Sequence, residues 1–227
     1  MPKTTKAASV DIHSIELLTR LKNLDLLKGL HQWWWEGALG FGVVVGAILT
    51  QNTKWEKVEL SLANLKNAGI LGDDDSVSLH NLAKVDSIES LITPSGLYRQ
   101  KSARIIALAQ AILEDFGDFA NFQQEVSREW LLERKGVGFE SADSILNYAC
   151  GREIMVVDSY SARLLAALGW EMESYEEVQG WFMDMPSREL EKLYPTMPLA
   201  QIYARYHGKI VEFSKRKLPI QTLMEKQ

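Results

Sequence analysis

The chain has 227 residues, of which 46% are hydrophobic and 24% charged, and its formal net charge is −5 at pH 7. This composition is that of a globular protein and excludes disorder, collagen and low-complexity sequence, while the length allows one large domain or two small ones. The single cysteine, Cys150, excludes an internal disulfide, a four-thiolate zinc site and a four-thiolate iron–sulfur cluster.

Targeting signals are not visible in the sequence. The longest apolar run, residues 41–49, is far shorter than the roughly 20 residues that span a bilayer. The first residues lack the basic-then-apolar order of a secretory signal. We therefore expect a cytoplasmic protein with no membrane partner.

Charge is distributed unevenly along the chain. Residues 171–192 hold seven acids and two bases, a local charge of −5 that equals the net charge of the whole chain. Residues 95–104 hold three bases and no acid, and residues 196–227 hold six bases and two acids. Two basic segments therefore remain available for an anionic partner, although such segments are also typical of solvated helix faces.

Apolar residues at helical spacing dominate the chain after residues 1–10, which we expect to form a flexible tail. The first pattern covers residues 15–27 and follows Asp11. Further helices are predicted at residues 41–50, 56–67, 78–85, 87–92, 100–116, 119–126, 128–134, 139–149, 159–168, 175–185 and 199–217. Only Ile154–Val157 resembles a strand, and it is equally typical of an extended connector. The sequence predicts an all-α protein.

Residues 131–146 have the pattern of a helix, a tight turn at Gly136-Val137-Gly138 and a second helix. Glycines leave room for a ligand at the amides that begin the second helix, where the helix dipole favours a phosphate. An anion such as a phosphate is therefore expected at the amides of Gly136, Val137 and Gly138, with Lys135 beside them. Two glycines between helices are also typical of a simple turn.

A second motif lies at Asp158, 20 residues after Gly138 and directly before Ser159-Tyr160-Ser161. An aspartate in this position is typical of a helix N-cap. Together the two motifs resemble the helix-hairpin-helix DNA glycosylases of the endonuclease III type, in which a catalytic aspartate follows the hairpin at a similar distance. The resemblance covers roughly residues 33–217. The strings at residues 33–35, 49–55 and 204–209 are most similar to the 3-methyladenine DNA glycosylases.

The resemblance implies a bilobal helical bundle with its active-site cleft between the lobes. Residues 11–40 and 155–227 would form a terminal lobe that carries Asp158 and the final helix, and residues 41–154 would form the hairpin lobe. It also implies a base excision repair enzyme that flips an alkylated purine, first of all 3-methyladenine, from duplex DNA. Hydrolysis of the glycosidic bond would leave an abasic site, and Asp158 would stabilise the oxocarbenium-like sugar or activate water.

Three departures from the family pattern refine this expectation. Glu140 stands where bifunctional members hold a nucleophilic lysine, which implies a monofunctional enzyme without lyase activity. Cys150 alone stands in place of the four-cysteine cluster, so no iron–sulfur cofactor is expected, while the family allows a monovalent cation on the hairpin carbonyls. Lys135 replaces a proline that is common at the turn. The histidines lack paired metal-ligand spacing, so no metal site is predicted.

Aromatic residues are the candidates for recognising a cationic base, because a cation gains about 0.5–2 kcal/mol against an aromatic face. By resemblance, Trp34 and Trp35 line the base pocket or wedge the strand, and Trp55 stacks on the base. The alternative is core packing with one surface anchor. Three consecutive tryptophans, Trp33–Trp35, could not share one face of a helix.

Four polar residues complete the candidate site. Gln51 and Asn52 either cap the helix before them or, by family position, contact DNA beside the flipped nucleotide. Glu140 either contacts the base or a water, or stabilises the helix dipole. Lys209 lies about 70° from the centre of the apolar stripe of the final helix, at the boundary of burial. There it would snorkel, or would lie near Asp158 with a depressed pKa, pairing with the carboxylate or carrying a modification.

Other functions remain open from the sequence alone. A glycosylase for oxidised or mismatched bases would need a pocket with many specific polar contacts. A non-catalytic hairpin module that only binds DNA would have no use for a carboxylate facing DNA phosphates. An α-helical interaction protein would leave the joint occurrence of the hairpin and Asp158 as coincidence. We expect a monomer acting on double-stranded DNA, since one chain can cover one lesion.

Overall fold

The computed structural model describes residues 12–224, so the tail predicted at residues 1–10 lies outside the described residues. The described residues form thirteen α-helices and contain no β-strand, which confirms the predicted all-α class. The helices are α1 (Ser14–Asn23), α2 (Phe41–Leu49), α3 (Trp55–Asn67), α4 (Asp75–Lys84), α5 (Glu89–Ile92), α6 (Tyr98–Phe116), α7 (Phe119–Glu125), α8 (Arg128–Leu132), α9 (Phe139–Ser144), α10 (Ser159–Ala167), α11 (Tyr175–Met183), α12 (Ser187–Leu193) and α13 (Leu199–Lys215). Short 3-10 helices cover Thr93–Ser95 and Ile220–Leu223, and a π-helical segment covers Ile145–Ala149.

Two compact units divide the chain. The hairpin unit is continuous and runs from Gly37 to Arg152. The terminal unit combines the described residues up to Glu36 with those from Glu153 onward. The sequence placed the two boundaries after residues 40 and 154, and the structure places each a few residues earlier.

The hairpin unit is organised around α2. All nine residues of this helix except Gly42 are buried, as expected for a helix that is apolar on every face. Helices α3, α4 and α6 pack against it. The N-terminus of α2 is held by Asp75 of α4, whose carboxylate accepts a 2.7 Å hydrogen bond from the amide of Phe41. Asp74, Asp118 and Ser127 are the N-caps of α4, α7 and α8, and the side chain of each accepts a hydrogen bond from an amide of its own helix.

The terminal unit is built by helices from both ends of the described chain. Helix α1 packs against α11, α12 and α13. Its inner face buries Leu17, Leu18 and Leu21 completely, and the Tyr206 hydroxyl of α13 donates a 2.9 Å hydrogen bond to the Ser14 carbonyl. The final helix therefore completes the core that α1 begins.

The fold corrects two sequence expectations and decides one that the sequence left open. Trp33–Trp35 lie in a series of turns and not on a helix, so the argument from helical faces was wrong there. The segment Ile154–Val157, which the sequence left open between a strand and an extended connector, forms no strand. Helix α12 was not predicted, because only Leu190 of its seven residues is buried and its remaining pattern is charged.

Candidate active site

The predicted helix-hairpin-helix is formed by α8, the turn at residues 133–138 and α9. Gly136 has a φ of +82°, and a Cβ at this position would lie 2.3 Å from Nε of Arg104, so the turn needs glycine here. Gly138 has an ordinary φ of −100° and is the exposed N-cap of α9. A Cβ on Gly138 would meet nothing within 4 Å, so there is open space beside the residue at which α9 begins, where a helix leaves amides without helical partners.

An ion pair joins the two helices of the hairpin. Arg128 of α8 donates to both carboxylate oxygens of Asp143 of α9, at 2.7 and 2.8 Å. The Asp143 side chain is fully buried, and such a bidentate pair fixes both the distance and the orientation of its partners. In the turn itself, Val137 is buried and Lys135 is exposed.

Gln51 braces the hairpin from the end of α2. Its amide nitrogen donates to the Gly136 carbonyl at 2.8 Å and to the Ser141 hydroxyl at 3.0 Å. Its amide oxygen accepts from Arg104 at 3.0 Å. The structure thus directs the Gln51 amide toward the hairpin turn, a contact that the sequence did not indicate.

Asp158 is the N-cap of α10, as its sequence context indicated. Its Oδ1 accepts hydrogen bonds from the Tyr160 and Ser161 amides, both at 2.9 Å, and lies 3.2 Å from the Ser161 hydroxyl. Its Oδ2 lies 3.6 Å from Nε2 of His207. One carboxylate oxygen is therefore anchored to the helix, while the other faces a histidine.

The environment of Asp158 favours its charged form. The carboxylate side chain is 15% exposed, and burial by itself raises the pKa of such a group. The nearby His207, whose Nε2 lies 3.6 Å from Oδ2, and the hydrogen bonds from Ser161 outweigh that burial, and the net pKa of Asp158 is lowered. The carboxylate is accordingly an anion at neutral pH.

His207 is a residue that the sequence reasoning did not select. It lies on α13, is 6% exposed, and stands on the buried stripe between Tyr203 and Ile210. The available signal was a histidine on an otherwise apolar helix face, four residues after a buried tyrosine. That signal does not name a partner, because Asp158 is distant in sequence.

Trp34 packs beside His207. The two ring centroids are 5.3 Å apart with the planes at 80°, an edge-on arrangement. Trp34 is half-buried with a φ of +67°, and its Nε1 donates to Glu212 at 3.4 Å. A Cβ on Gly208 would lie 2.4 Å from Cγ of Trp34, so the glycine makes room for the indole.

The other candidate residues occupy varied environments. Trp35 is 7% exposed and Trp55 is half-buried at the start of α3. Asn52 is exposed with a φ of +53°, and Glu140 is exposed in the first turn of α9. Trp34 therefore lies beside the His207 that faces Asp158, in the terminal unit, whereas Trp55, Asn52 and Glu140 belong to the hairpin unit.

Lys209 is buried more deeply than its helical projection predicted. It is 4% exposed, and its Nζ lies 3.5 Å from the Arg205 carbonyl and 5.7 Å from the centre of the Tyr194 ring. Burial, with repulsion from Arg205 and Lys22, lowers its pKa to about 7, in the direction expected. Its immediate contacts are with Arg205 and Tyr194, so the expected pairing with Asp158 is not what the structure describes.

Two further features concern cofactors and membranes. Within residues 12–224, no group of three or more histidine, cysteine, aspartate or glutamate side chains is placed to hold a metal ion. Across the same residues, no helix is both long enough and apolar enough to cross a membrane.

A hairpin with open space at the start of its second helix, followed by a helix capped by an ionised aspartate, defines the helix-hairpin-helix class of DNA glycosylase. The chain matches the HhH-GPD superfamily of base excision DNA repair proteins over residues 45–185, and it belongs to that superfamily. The family and the all-α fold predicted from the sequence are thereby confirmed.

Three relatives place the chain within this superfamily. The crystal structure of H. pylori 3-methyladenine DNA glycosylase (MagIII) bound to 1,N6-ethenoadenine is 52% identical, with a TM-score of 0.89 over 92% of this chain and 100% of that one. A Methanocaldococcus jannaschii protein, provisionally named DNA repair glycosylase MJ1434, is 37% identical over 90% of each chain. Endonuclease III of Thermotoga maritima is 28% identical over 78% of this chain and 73% of its own. The prediction of a DNA glycosylase of base excision repair is confirmed by these relatives.

Proposed function

We propose that this protein is a monofunctional DNA glycosylase that removes alkylated purines, 3-methyladenine first of all, from duplex DNA and leaves an abasic site. The observation that carries the proposal is Asp158, an anion with one oxygen anchored by helix amides and the other beside His207. The substrate class is supported by the 52% identity to a 3-methyladenine DNA glycosylase.

The chemistry requires an anion near the sugar. As the bond between C1′ and the base nitrogen breaks, positive charge develops on the sugar, and a preorganised carboxylate stabilises that charge. Water then adds its oxygen to C1′ and loses a proton, which a carboxylate can accept. Alkylation at a ring nitrogen makes the base cationic, so it departs as a neutral molecule and needs no general acid.

The absence of lyase activity is proposed from Glu140. A lyase reaction needs an amine that attacks C1′ and forms a Schiff base, and a carboxylate cannot form one. Glu140 occupies the position that resembles the lysine site of bifunctional relatives, and it is exposed in the first turn of α9. Its contribution would then be to the base, to a water, or to the helix dipole.

The base would be recognised by stacking and cation–π contact with Trp34, Trp35 and Trp55. Trp34 is supported best, because Gly208 and His207 hold its ring beside the residue that faces Asp158. The expected cleft between the lobes and a role for Lys209 stay predictions.

DNA would be bound through the backbone of the hairpin. The amides from Gly136 to Gly138 would contact phosphates, aided by the exposed Lys135. Asn52 would enter the space left by the flipped nucleotide, while Gln51 would support the turn that binds the backbone. The hairpin carbonyls would hold a monovalent cation, which would add positive charge beside a bound phosphate. We further propose a cytoplasmic monomer without an iron–sulfur cluster.

Asp158→Asn tests the proposal, because asparagine caps a helix as well as aspartate does and leaves the fold intact. Methylated duplex DNA is incubated with each protein, and the free bases are separated by chromatography. We expect the wild type to release 3-methyladenine, and Asp158→Asn to bind DNA normally while releasing it at least about 100-fold more slowly. Asp184→Asn, at the end of α11, is the matched control and should match the wild type.

Two results would contradict the proposal. If folded wild-type protein releases no methylated base, the substrate class is wrong and a glycosylase for oxidised bases or a binding module is favoured. If Asp158→Asn keeps full activity, the carboxylate has no catalytic role.

A further inference from the structure

Lys101 is a lysine in the interior of the hairpin unit. It lies in the first turn of α6 and is 1% exposed. Burial, followed by repulsion from Arg104, lowers its pKa to about 8. No ion pair joins Lys101 to a carboxylate among the described residues. Burying an ammonium group costs free energy, which indicates that Lys101 does more than fill space in the core.

The Lys101 ammonium uses its three protons on three separate acceptors. It donates to the Leu49 carbonyl at 2.8 Å, to the Thr53 hydroxyl at 2.7 Å and to the Ser95 carbonyl at 2.8 Å. The Thr53 hydroxyl also lies 2.6 Å from the Ser95 carbonyl, to which it donates. One ammonium therefore ties the end of α2, the loop that follows it and the 3-10 helix at Thr93–Ser95 to each other.

The loop after α2 and the link between the 3-10 helix and α6 each carry an exposed residue with left-handed backbone. Asn52 has a φ of +53°, and Leu97, which is 56% exposed, has a φ of +46°. Such a conformation costs about 1–2 kcal/mol for Leu97, while asparagine adopts it more readily, and a strained residue persists only where its surroundings enforce it. The acceptors at Thr53 and Ser95 are one and two residues from these tips, so Lys101 supplies an enforcing contact.

We propose that Lys101 is a positioning residue for base release: its ammonium presets the loop carrying Asn52 in the conformation that enters the DNA. The inference rests on the proposed function, because it assumes that Asn52 acts in the space left by a flipped base. The geometry of the Asn52 loop affects the rate of base release. It does not set the general affinity for DNA, because the phosphate contacts come from the hairpin amides. Loss of the ammonium should therefore slow base release without weakening binding to undamaged DNA.

The experiment is a double-mutant cycle on base release. Lys101→Met keeps an unbranched side chain that is one heavy atom shorter and removes the three donors, and Asn52→Ala removes the side chain at the loop tip. Single-turnover release of 3-methyladenine from methylated duplex DNA is measured for both variants and for their combination. Affinity for undamaged duplex is measured by fluorescence anisotropy.

We expect each single variant to lower the release rate about 10- to 100-fold, with affinity for undamaged DNA changed by less than about twofold. The combined variant should be no slower than the slower single variant, because both changes disable one element. Thr53→Val is a milder second variant, which removes one acceptor of Lys101 and should slow release by about threefold. It keeps the test open if Lys101→Met does not fold.

Three outcomes would overturn the inference. If the losses of release rate in the two single variants multiply in the combined variant, Lys101 acts independently of Asn52. If Lys101→Met or Asn52→Ala keeps the full release rate, that residue has no part in base release. Equal losses of release rate and DNA affinity would indicate a merely structural lysine. If the wild type releases no methylated base, the proposed function itself fails, a result distinct from the others.

Discussion

We expect Lys209 to make the stability of the terminal unit depend on pH. Its charge is buried beside like charges, Arg205 and Lys22, and its weak compensations are the Arg205 carbonyl at 3.5 Å and the Tyr194 ring at 5.7 Å. These surroundings lower the pKa of Lys209 from 10.5 to about 7. Folding therefore has to remove the proton or bury the charge.

The magnitude follows from the difference between the two pKa values. Between pH 7 and 10.5 the unfolded chain holds a proton that the folded protein has released, so the free energy of unfolding rises with pH in this range. At 1.36 kcal/mol for each pH unit, the penalty is about 5 kcal/mol at pH 6 and about 2 kcal/mol at pH 9. It vanishes above the unfolded pKa.

Lys209→Met removes this penalty while keeping an unbranched apolar stem. Urea unfolding of the variant and the wild type at pH 6 and pH 9 should show the variant more stable by about 5 and about 2 kcal/mol. Lys57→Met, at an exposed position of α3, is the control and should show no such pH dependence. A gain that is equal at both pH values, or a loss of stability at pH 6, would refute the argument.

Three further predictions concern packing and charge at other positions. Gly208→Ala places a Cβ 2.4 Å from Trp34 and should displace the indole. Release of 3-methyladenine should then fall at least about tenfold, while the far-UV circular dichroism spectrum stays unchanged. A fully active variant would contradict the role of Trp34. Arg128→Met leaves the Asp143 charge buried without this partner and should lower the urea unfolding free energy by about 3–5 kcal/mol; a loss below about 1 kcal/mol would argue against the pair. Burial raises the pKa of the Cys150 thiol to about 12. Ellman's reagent at pH 8 should therefore modify Cys150 at least about 100-fold faster in 6 M urea than in the native protein. Rapid labelling of the native protein would disprove this.

The hairpin and the capping role of Asp158 were predictable because their signals are local. Glycine spacing marks a turn, and an aspartate before Ser-Tyr-Ser marks a helix start, and neither needs a distant partner. Helix α2 was equally clear, since a continuous apolar run without charges predicts a central helix.

The contacts that shape the site could not be predicted in this way. His207 faces Asp158 across 49 positions of sequence, and the amide of Gln51 reaches the Gly136 carbonyl across 85. The neighbouring residues in sequence are compatible with several roles for His207 and for Gln51, and they do not indicate the distant partner of either. The conformation of Trp34 was missed for a related reason, because its left-handed backbone is imposed by its tertiary surroundings and not by its own preference.

Because the chain is synthesised from its N-terminus, the two units can fold at different stages of translation. The hairpin unit is one continuous segment, and its last residue, Arg152, leaves the ribosome before Asp158 does. The terminal unit needs α13, so α1 waits for its packing partner through most of translation. A nascent chain can therefore complete its hairpin well before His207 reaches Asp158, and its candidate catalytic carboxylate is among the last parts to be assembled.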